Sequence, residues 1–441
     1  MLSALIIIFV ITYAAITLEH SIKINKSATA LLGAGLLWTI YAVSTGDHLL
    51  VGHQLSESIA STAEIVFFLI GAMTIVEVID AHNGFEVITS RIKTKKLSHL
   101  LWIVGFLSFF LSAVLDNLTS TIVMISLTRK LLQKQEDRLL FAAMVVISAN
   151  AGGAWSPIGD VTTTMLWIGG QITSLAIIKG LFLASLANLI APLLFVSHTM
   201  RGKLISSQTK TYNASSMLTS NFERNTMFYL GLGILILVPV FKTLTHLPPF
   251  MGILFGLGLL WLVGDLIHYK KEDTDKQQFT LAHALHRIDM TSIVFFIGIL
   301  LAVATLEHSH ILHSLSEFLD KTVGRQDYIV TLLGLLSAIV DNVPLVAASM
   351  GMYDLAKYPA DSFLWEFMAY CAGTGGSILI IGSAAGVAAM GLEKIPFFWY
   401  VKKISWLALI GYFAKSYMPI EAATRGTLST TALNNPNNVT I

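Results

Sequence analysis

Eight stretches of this chain are apolar for about the length that crosses roughly 30 Å of hydrocarbon. They are 2–18, 27–43, 61–80, 175–197, 226–241, 249–267, 290–306 and 398–418. Four further regions, 98–132, 138–170, 325–352 and 362–391, are apolar but interrupted. Of the 441 residues, 54% are hydrophobic and 12% charged. A soluble domain has too little interior for so much apolar surface. The expected fold class is therefore an all-α polytopic membrane protein. The segment 2–18 lacks a basic start and a small-residue cleavage site, and reads as a retained first helix. The single cysteine, Cys371, excludes an intrachain disulfide and a multi-cysteine metal site. No basic stripe lies beside exposed aromatics, so nucleic acid is not an expected partner.

The interruptions pair up. L-S-A-V-L-D-N-L-T-S-T-I-V at 111–123 matches L-S-A-I-V-D-N-V-P-L-V-A-A at 336–348, a spacing of 225. E-I-V-F-F-L-I-G-A-M at 64–73 resembles S-I-V-F-F-I-G-I-L-L at 292–301, spaced 228. N-A-G-G-A-W-S-P-I-G at 150–159 resembles G-T-G-G-S-I-L-I-I-G at 373–382, spaced 223. Three blocks in one order at nearly constant spacing indicate internal duplication. The expected division is a first repeat at 1–205, a linker at 206–221, a second repeat at 222–420 and a tail at 421–441.

Each repeat has three spanning helices, a segment carrying an Asp-Asn pair, a broken segment and a last helix. The segment 98–132 would overshoot the bilayer as one helix, so a re-entrant hairpin with Asp-Asn at its tip is expected. Five crossings per repeat is an odd number, which inverts the second repeat relative to the first. Charge placement tests this. Loops near 19–27, 81–97, 129–138, 198–225, 268–288 and 392–403 would share one side, and they hold 21 of the 28 Lys and Arg. By the positive-inside rule that side is cytoplasmic. Both termini, the tail included, are then extracytoplasmic, and the N-A-S at 213–215 lies where glycosylation does not occur.

An acidic residue at membrane depth costs about 2.5–3.5 kcal/mol even on lenient insertion scales, so it lines a cavity or finds a partner. Glu64, Asp116, Asp160 and Asp341 are the candidates. Asp116-Asn117 and Asp341-Asn342 stand at the same break in both repeats, which favours function over a local cap. A helix ending in hydrocarbon leaves unpaired backbone groups that must face protein, water or a ligand. Carbonyls at such an end, with a carboxylate and an amide oxygen beside them, form a hard-oxygen set suited to sodium. Gly152, Gly153, Gly375 and Gly376 permit close backbone approach and unusual dihedrals; tight packing by small residues is the alternative. The first repeat carries Asn150, Asp160, Thr162, Thr163 and Thr164 where the second has Gly373, Ser383, Ala384, Ala385 and Gly386. Thr119 stands opposite Pro344. A single cation site should therefore lie nearer the first repeat, with Asp116, Asn117 and Asn150 as its metal ligands. Asp160 follows Pro157 and Gly159, and it reads equally as an N-cap or a ligand. The histidines His20, His82, His99, His308, His310 and His313 fall near helix ends and read as interfacial. There is no H-E-x-x-H, no phosphate-binding G-x-x-x-x-G-K-[ST] and no G-x-S-x-G.

These motifs, with A-N-A-G-G-A-W-S-P-I-G-D-V-T-T-T-M-L-W at 149–167 the most specific, resemble the NhaD-type sodium/proton antiporters of the ion transporter superfamily over nearly the full length. The resemblance implies exchange of internal Na⁺ or Li⁺ for external H⁺ at alkaline pH, serving sodium and pH homeostasis in a bacterial inner membrane. It implies a homodimer in lipid, no cofactor, and scaffold helices at the start of each repeat. The implied ion-path residues are Asp116, Asn117, Asn150, Asp160, Thr162, Asp341 and Asn342, with Ser337 and Ser377 as supporting members. The alternative on the same scaffold is a sodium-coupled symporter of a small organic anion such as a dicarboxylate. Two tip carboxylates would repel such a substrate in a low-dielectric cavity. An enzyme would need a catalytic set that the sequence does not offer.

Overall fold

The computed structural model describes residues 1–92, 94–205, 219–269 and 279–414. The tail 421–441, most of the expected linker and the N-A-S at 213–215 lie outside them. Among the described residues, seven helices are long and apolar enough to cross a membrane. They are Lys26–Thr45, His48–Ala81, Leu97–Leu115, Ser174–Thr199, Asn221–Thr245, Pro249–His268 and Met290–His308. Large apolar side chains such as Leu32, Val43, Phe255 and Leu262 stand exposed along them, as lipid requires. The chain is an all-α, multi-pass membrane protein.

Two expected spans differ from the helices that form. The stretch at 61–80 is the end of a 34-residue helix, His48–Ala81, about 50 Å long. Asp47 caps it by accepting from the Leu50 amide at 3.0 Å. The polar residues between His53 and Ser58 interrupt hydropathy but contain no helix breaker, so the helix runs on through them. The stretch at 398–418 is divided at Ile404 into Phe397–Lys403 and Ser405–Phe413.

Both interrupted regions of each half break where the sequence turns polar. The first pair of arms, Leu97–Leu115 and Asn117–Leu131, meets at Asp116 and packs together. The second is Gln326–Leu336 and Asn342–Met352. The broken helices are Gln135–Gly153 with Val161–Ile168, and Phe363–Gly375 with Ala384–Glu393.

Packing repeats at the spacing of the sequence blocks. Lys26–Thr45 packs on Met290–His308, and Pro249–His268 packs on His48–Ala81. L-L-G-A-G-L-L-W at 31–38 has its counterpart in L-F-G-L-G-L-L-W at 254–261. Exchanging counterparts turns one contact into the other. The same holds atom by atom. A methyl group on Gly152 would lie 2.1 Å from the Phe109 carbonyl oxygen, and one on Gly375 would lie 2.1 Å from that of Gly334. Ser112 Oγ donates to the Ala149 carbonyl at 2.6 Å, and Ser337 Oγ to that of Ala372 at 3.1 Å. The four glycines of the broken segments all have negative φ. Close backbone approach is their role, and the unusual dihedrals expected of them are not used.

The loops gather at two ends. At one, Arg224 pairs with Glu86, Arg287 with Glu77 and Asp80, and Arg129 and Arg138 with Glu393. The Lys96–Leu204 bridge joins them there. At the other, Asp361 binds Thr173, Lys357 pairs with Asp320, and Tyr41 reaches Gln54 and the His308 carbonyl. These ties join the basic loops near 81–97, 198–225 and 268–288 where they are described, and join 129–138 to 392–403.

Candidate functional site

Asp116 closes one arm and opens the next. Its backbone, at φ 88° and ψ 161°, lies in a region that is nearly glycine-only. Its carboxylate accepts from the Thr119 amide and the Thr119 hydroxyl, both at 2.8 Å. It therefore caps the second arm while standing beside Asn117 and Asp160 in the wall of a cavity of about 50 Å³.

The polar centre lies one residue further on. Asn117 Nδ2 donates to Asn150 Oδ1 and to Asp160 Oδ2, each at 3.0 Å. Asn342 Nδ2, from the other half, donates to the same Asp160 Oδ2 at 3.3 Å. Asn150 Nδ2 donates to Ser377 Oγ and Ser383 Oγ at 2.9 Å. Asn117, Asn150, Asp160 and Asn342 are all buried. Asn117 and Asn342 thus converge on the Asp160 carboxylate, and Ser377 and Ser383 join the network through Asn150. The N-cap reading of Asp160 is realised: Oδ1 accepts from the Thr162 amide at 3.2 Å, while Oδ2 faces the asparagines.

Other candidates fall at varying distance from this centre. Thr162 is buried beside Asp160, and its hydroxyl has no hydrogen-bond partner. Ser377 belongs to the network. Ser337 does not, because its hydroxyl is given to Ala372. Thr119 serves Asp116. Asp341 turns away from the network and pairs with Lys26 Nζ at 3.0 Å. Glu64 lies near Lys242 and is not among the residues around Asp160. Ser383 and Lys26 were not among the expected site residues. Ser383 was legible as the aligned counterpart of Asp160; Lys26 gave no local signal.

Two larger cavities, each about 210 Å³, lie on either side. Val76, Asp80, Ile122 and Asp289 line one. Their counterparts at the repeat spacing, Ala304, His308, Ala347 and Ser61, line the other. The first sits at the basic end and shares Met73 and Leu118 with the small cavity at Asp116. The second shares no lining residue with it.

The CitMHS family model, described as Citrate transporter, matches residues 6–373. Sodium/proton antiporter 1 of Arabidopsis thaliana is 51% identical over 411 residues, covering 93% of this chain and 71% of the relative. Sodium/proton antiporter 2 of the same plant is 48% identical, covering 92% and 96%. Na(+)/H(+) antiporter NhaD of Vibrio cholerae is 30% identical, covering 93% and 89%. With this identity and coverage, the chain belongs to the NhaD-type sodium/proton antiporter family, within the wider group of CitMHS transporters.

Proposed function

We propose that the protein exchanges cytoplasmic Na⁺ or Li⁺ for external protons, and that the exchange is coupled at the carboxylates of Asp116 and Asp160. As a member of a transporter family it moves ions and does not transform them. The observation that carries the site is the convergence of Asn117 and Asn342 on Asp160 Oδ2, in the cavity wall that also holds Asp116. Asp116, Asn117, Asn150, Asp160, Thr162 and Asn342 form the ion path, with Thr119 and Ser377 supporting it. Asp116, Asn117 and Asn150 supply sodium ligands.

A carboxylate can hold a cation or a proton but gains little from both. Bound Na⁺ favours the ionised form and drives the proton off, and the proton drives off Na⁺ by reciprocal linkage. Competition has a definite sign. Acidifying the side from which Na⁺ enters should raise the apparent KM for Na⁺ and leave the maximal rate little changed. The central test is Na⁺-driven proton flux in proteoliposomes at matched protein incorporation. Asp116→Asn keeps the shape and removes the charge, and it should abolish exchange. Robust exchange by that variant would move the coupling site to Asp160 alone.

The architecture we infer is two inverted repeats, 1–205 and 222–420, each with a re-entrant hairpin and a broken helix, joined by a cytoplasmic linker at 206–221. The exchange of packing contacts between counterpart helices supports it. The basic end faces the cytoplasm by the positive-inside rule, and the tail 421–441 lies outside. A homodimer in a bacterial inner membrane follows from the resemblance to the NhaD type. The plant relatives make the native membrane a point to test by fractionation.

The description of the matching family model favours a second possibility, sodium-coupled uptake of a small organic anion. Buried Asp160 and the adjacent Asp116 would repel such a substrate. Citrate or succinate added to the same vesicles should neither accelerate nor be required for Na⁺-driven proton movement.

A further inference from the structure

The two hairpin tips are related by the repeat, but their aspartates are electrically different. Asp116 is bound by Thr119, and Asp160 by Thr162, Asn117 and Asn342. Asp341 instead receives an ammonium. Lys26 Nζ lies 3.0 Å from Asp341 Oδ2, across 315 residues of sequence. The lysine side chain is 21% exposed and the aspartate 14%. Lys26 Nζ also sits 4.4 Å from the centroid of the Phe295 ring, which faces a cation with its negative π-surface. The other charged groups near Lys26 are Glu19 and Asp289, and Tyr13 and Asp160 are further titratable groups near Asp341.

The repeat spacing of 223 that aligns 31–38 with 254–261 places Pro249 opposite Lys26. Among the described residues, the first hairpin tip has no lysine paired with its aspartate in this way. The duplication therefore built two similar carboxylates, and Thr119 at one and Lys26 at the other distinguish them. Lys26 opens the helix Lys26–Thr45, which packs on Met290–His308 and belongs to neither hairpin. The pair thus joins a hairpin tip to a separate spanning helix.

We propose that Lys26 is a tethered cation that occupies Asp341, so that the second tip acts through this internal pair and the transported ion is left to the carboxylates of the first half. This rests on the antiporter function proposed above. Asp341 is then a positioning residue and not a ligand of the moving ion.

The test compares four proteins in proteoliposomes: the parent, Lys26→Met, Asp341→Asn and the double variant. Asp341→Asn leaves a partly buried ammonium without its partner, and Lys26→Met leaves a carboxylate without its own. Each single variant should lose maximal exchange rate. The double variant should regain about tenfold over Asp341→Asn, the scale of coupling between groups in direct contact. Its KM for Na⁺ should stay within about twofold of the parent, since no uniform binding to the ion is removed. Lys26→Arg, which keeps the charge, should retain most of the rate. A double variant as slow as Asp341→Asn, or one with a strongly raised Na⁺ KM, would overturn the proposal and make Asp341 an ion ligand. A thermal-stability cycle on the same four proteins reads the pair even if the parent shows no Na⁺/H⁺ exchange, so failure of the function and failure of the pair are separable. Additive stability losses would show that the pair is not coupled.

Discussion

At the scale of single residues, Asp116 combines two demands that oppose each other. Its φ of 88° and ψ of 161° cost about 1–3 kcal/mol for a residue with a side chain. Its cap on Thr119 is worth about 0.5–2 kcal/mol. Asp116→Gly removes both, so its thermal stability in detergent should stay close to that of the parent while exchange is lost. A large fall in melting temperature would mean that the carboxylate is chiefly structural. Asn150→Ala should weaken Na⁺ activation several-fold, because Asn150 links Asn117 to Ser377 and Ser383. Gly373→Ala should do less: its methyl group would lie 3.2 Å from Ala154 Cβ and 3.8 Å from Asp160 Oδ2. Equal effects on Na⁺ affinity would count against a site nearer the first half. The Asp-Asn pairs were legible because duplication repeats them in the sequence. The partition of work within each pair was not. Asp116 meets Thr119 three residues on, but whether an aspartate meets an asparagine or a lysine is decided by residues dozens to hundreds of positions away.

At the scale of elements, the glycines of the broken helices do the work of contact. Gly152 and Gly375 each press on a carbonyl oxygen of a neighbouring helix, with room for no methyl group. Gly152→Ala and Gly375→Ala should each destabilise the protein by about 1–3 kcal/mol, the usual cost of overpacking, read as a lower melting temperature. A neutral outcome at either position would show that the neighbouring helix can shift freely there. Gly35, where an added methyl group would meet nothing within 4 Å, is the control expected to tolerate alanine. Helix breaks were readable because glycine, proline and Asp-Asn interrupt apolar runs. The extension of His48–Ala81 beyond the membrane length was not, since hydropathy reports lipid contact and not helix continuity.

At the scale of the whole molecule, the charge bias and the ion-pair ties agree on which loops share an end. Cysteines placed in 81–97 and 281–288 should react with an impermeant thiol reagent from the cytoplasmic side, and those at 46–57 from outside, in a Cys371→Ser background. Labelling of all three regions from one side would refute the inverted arrangement. The two large cavities carry a further consequence. Val76, Asp80, Ile122 and Asp289 line the one that borders the site, and Ala304, His308, Ala347 and Ser61 line the one that does not. If each half took up the shape now held by the other, the route to Asp160 would open at the opposite face with no new contact invented. On the inverted-repeat reading proposed above, one set of interfaces would then encode both ends of the motion. A substitution that favours the shape of one half over the other should change which face is open before it changes how tightly the ion is held.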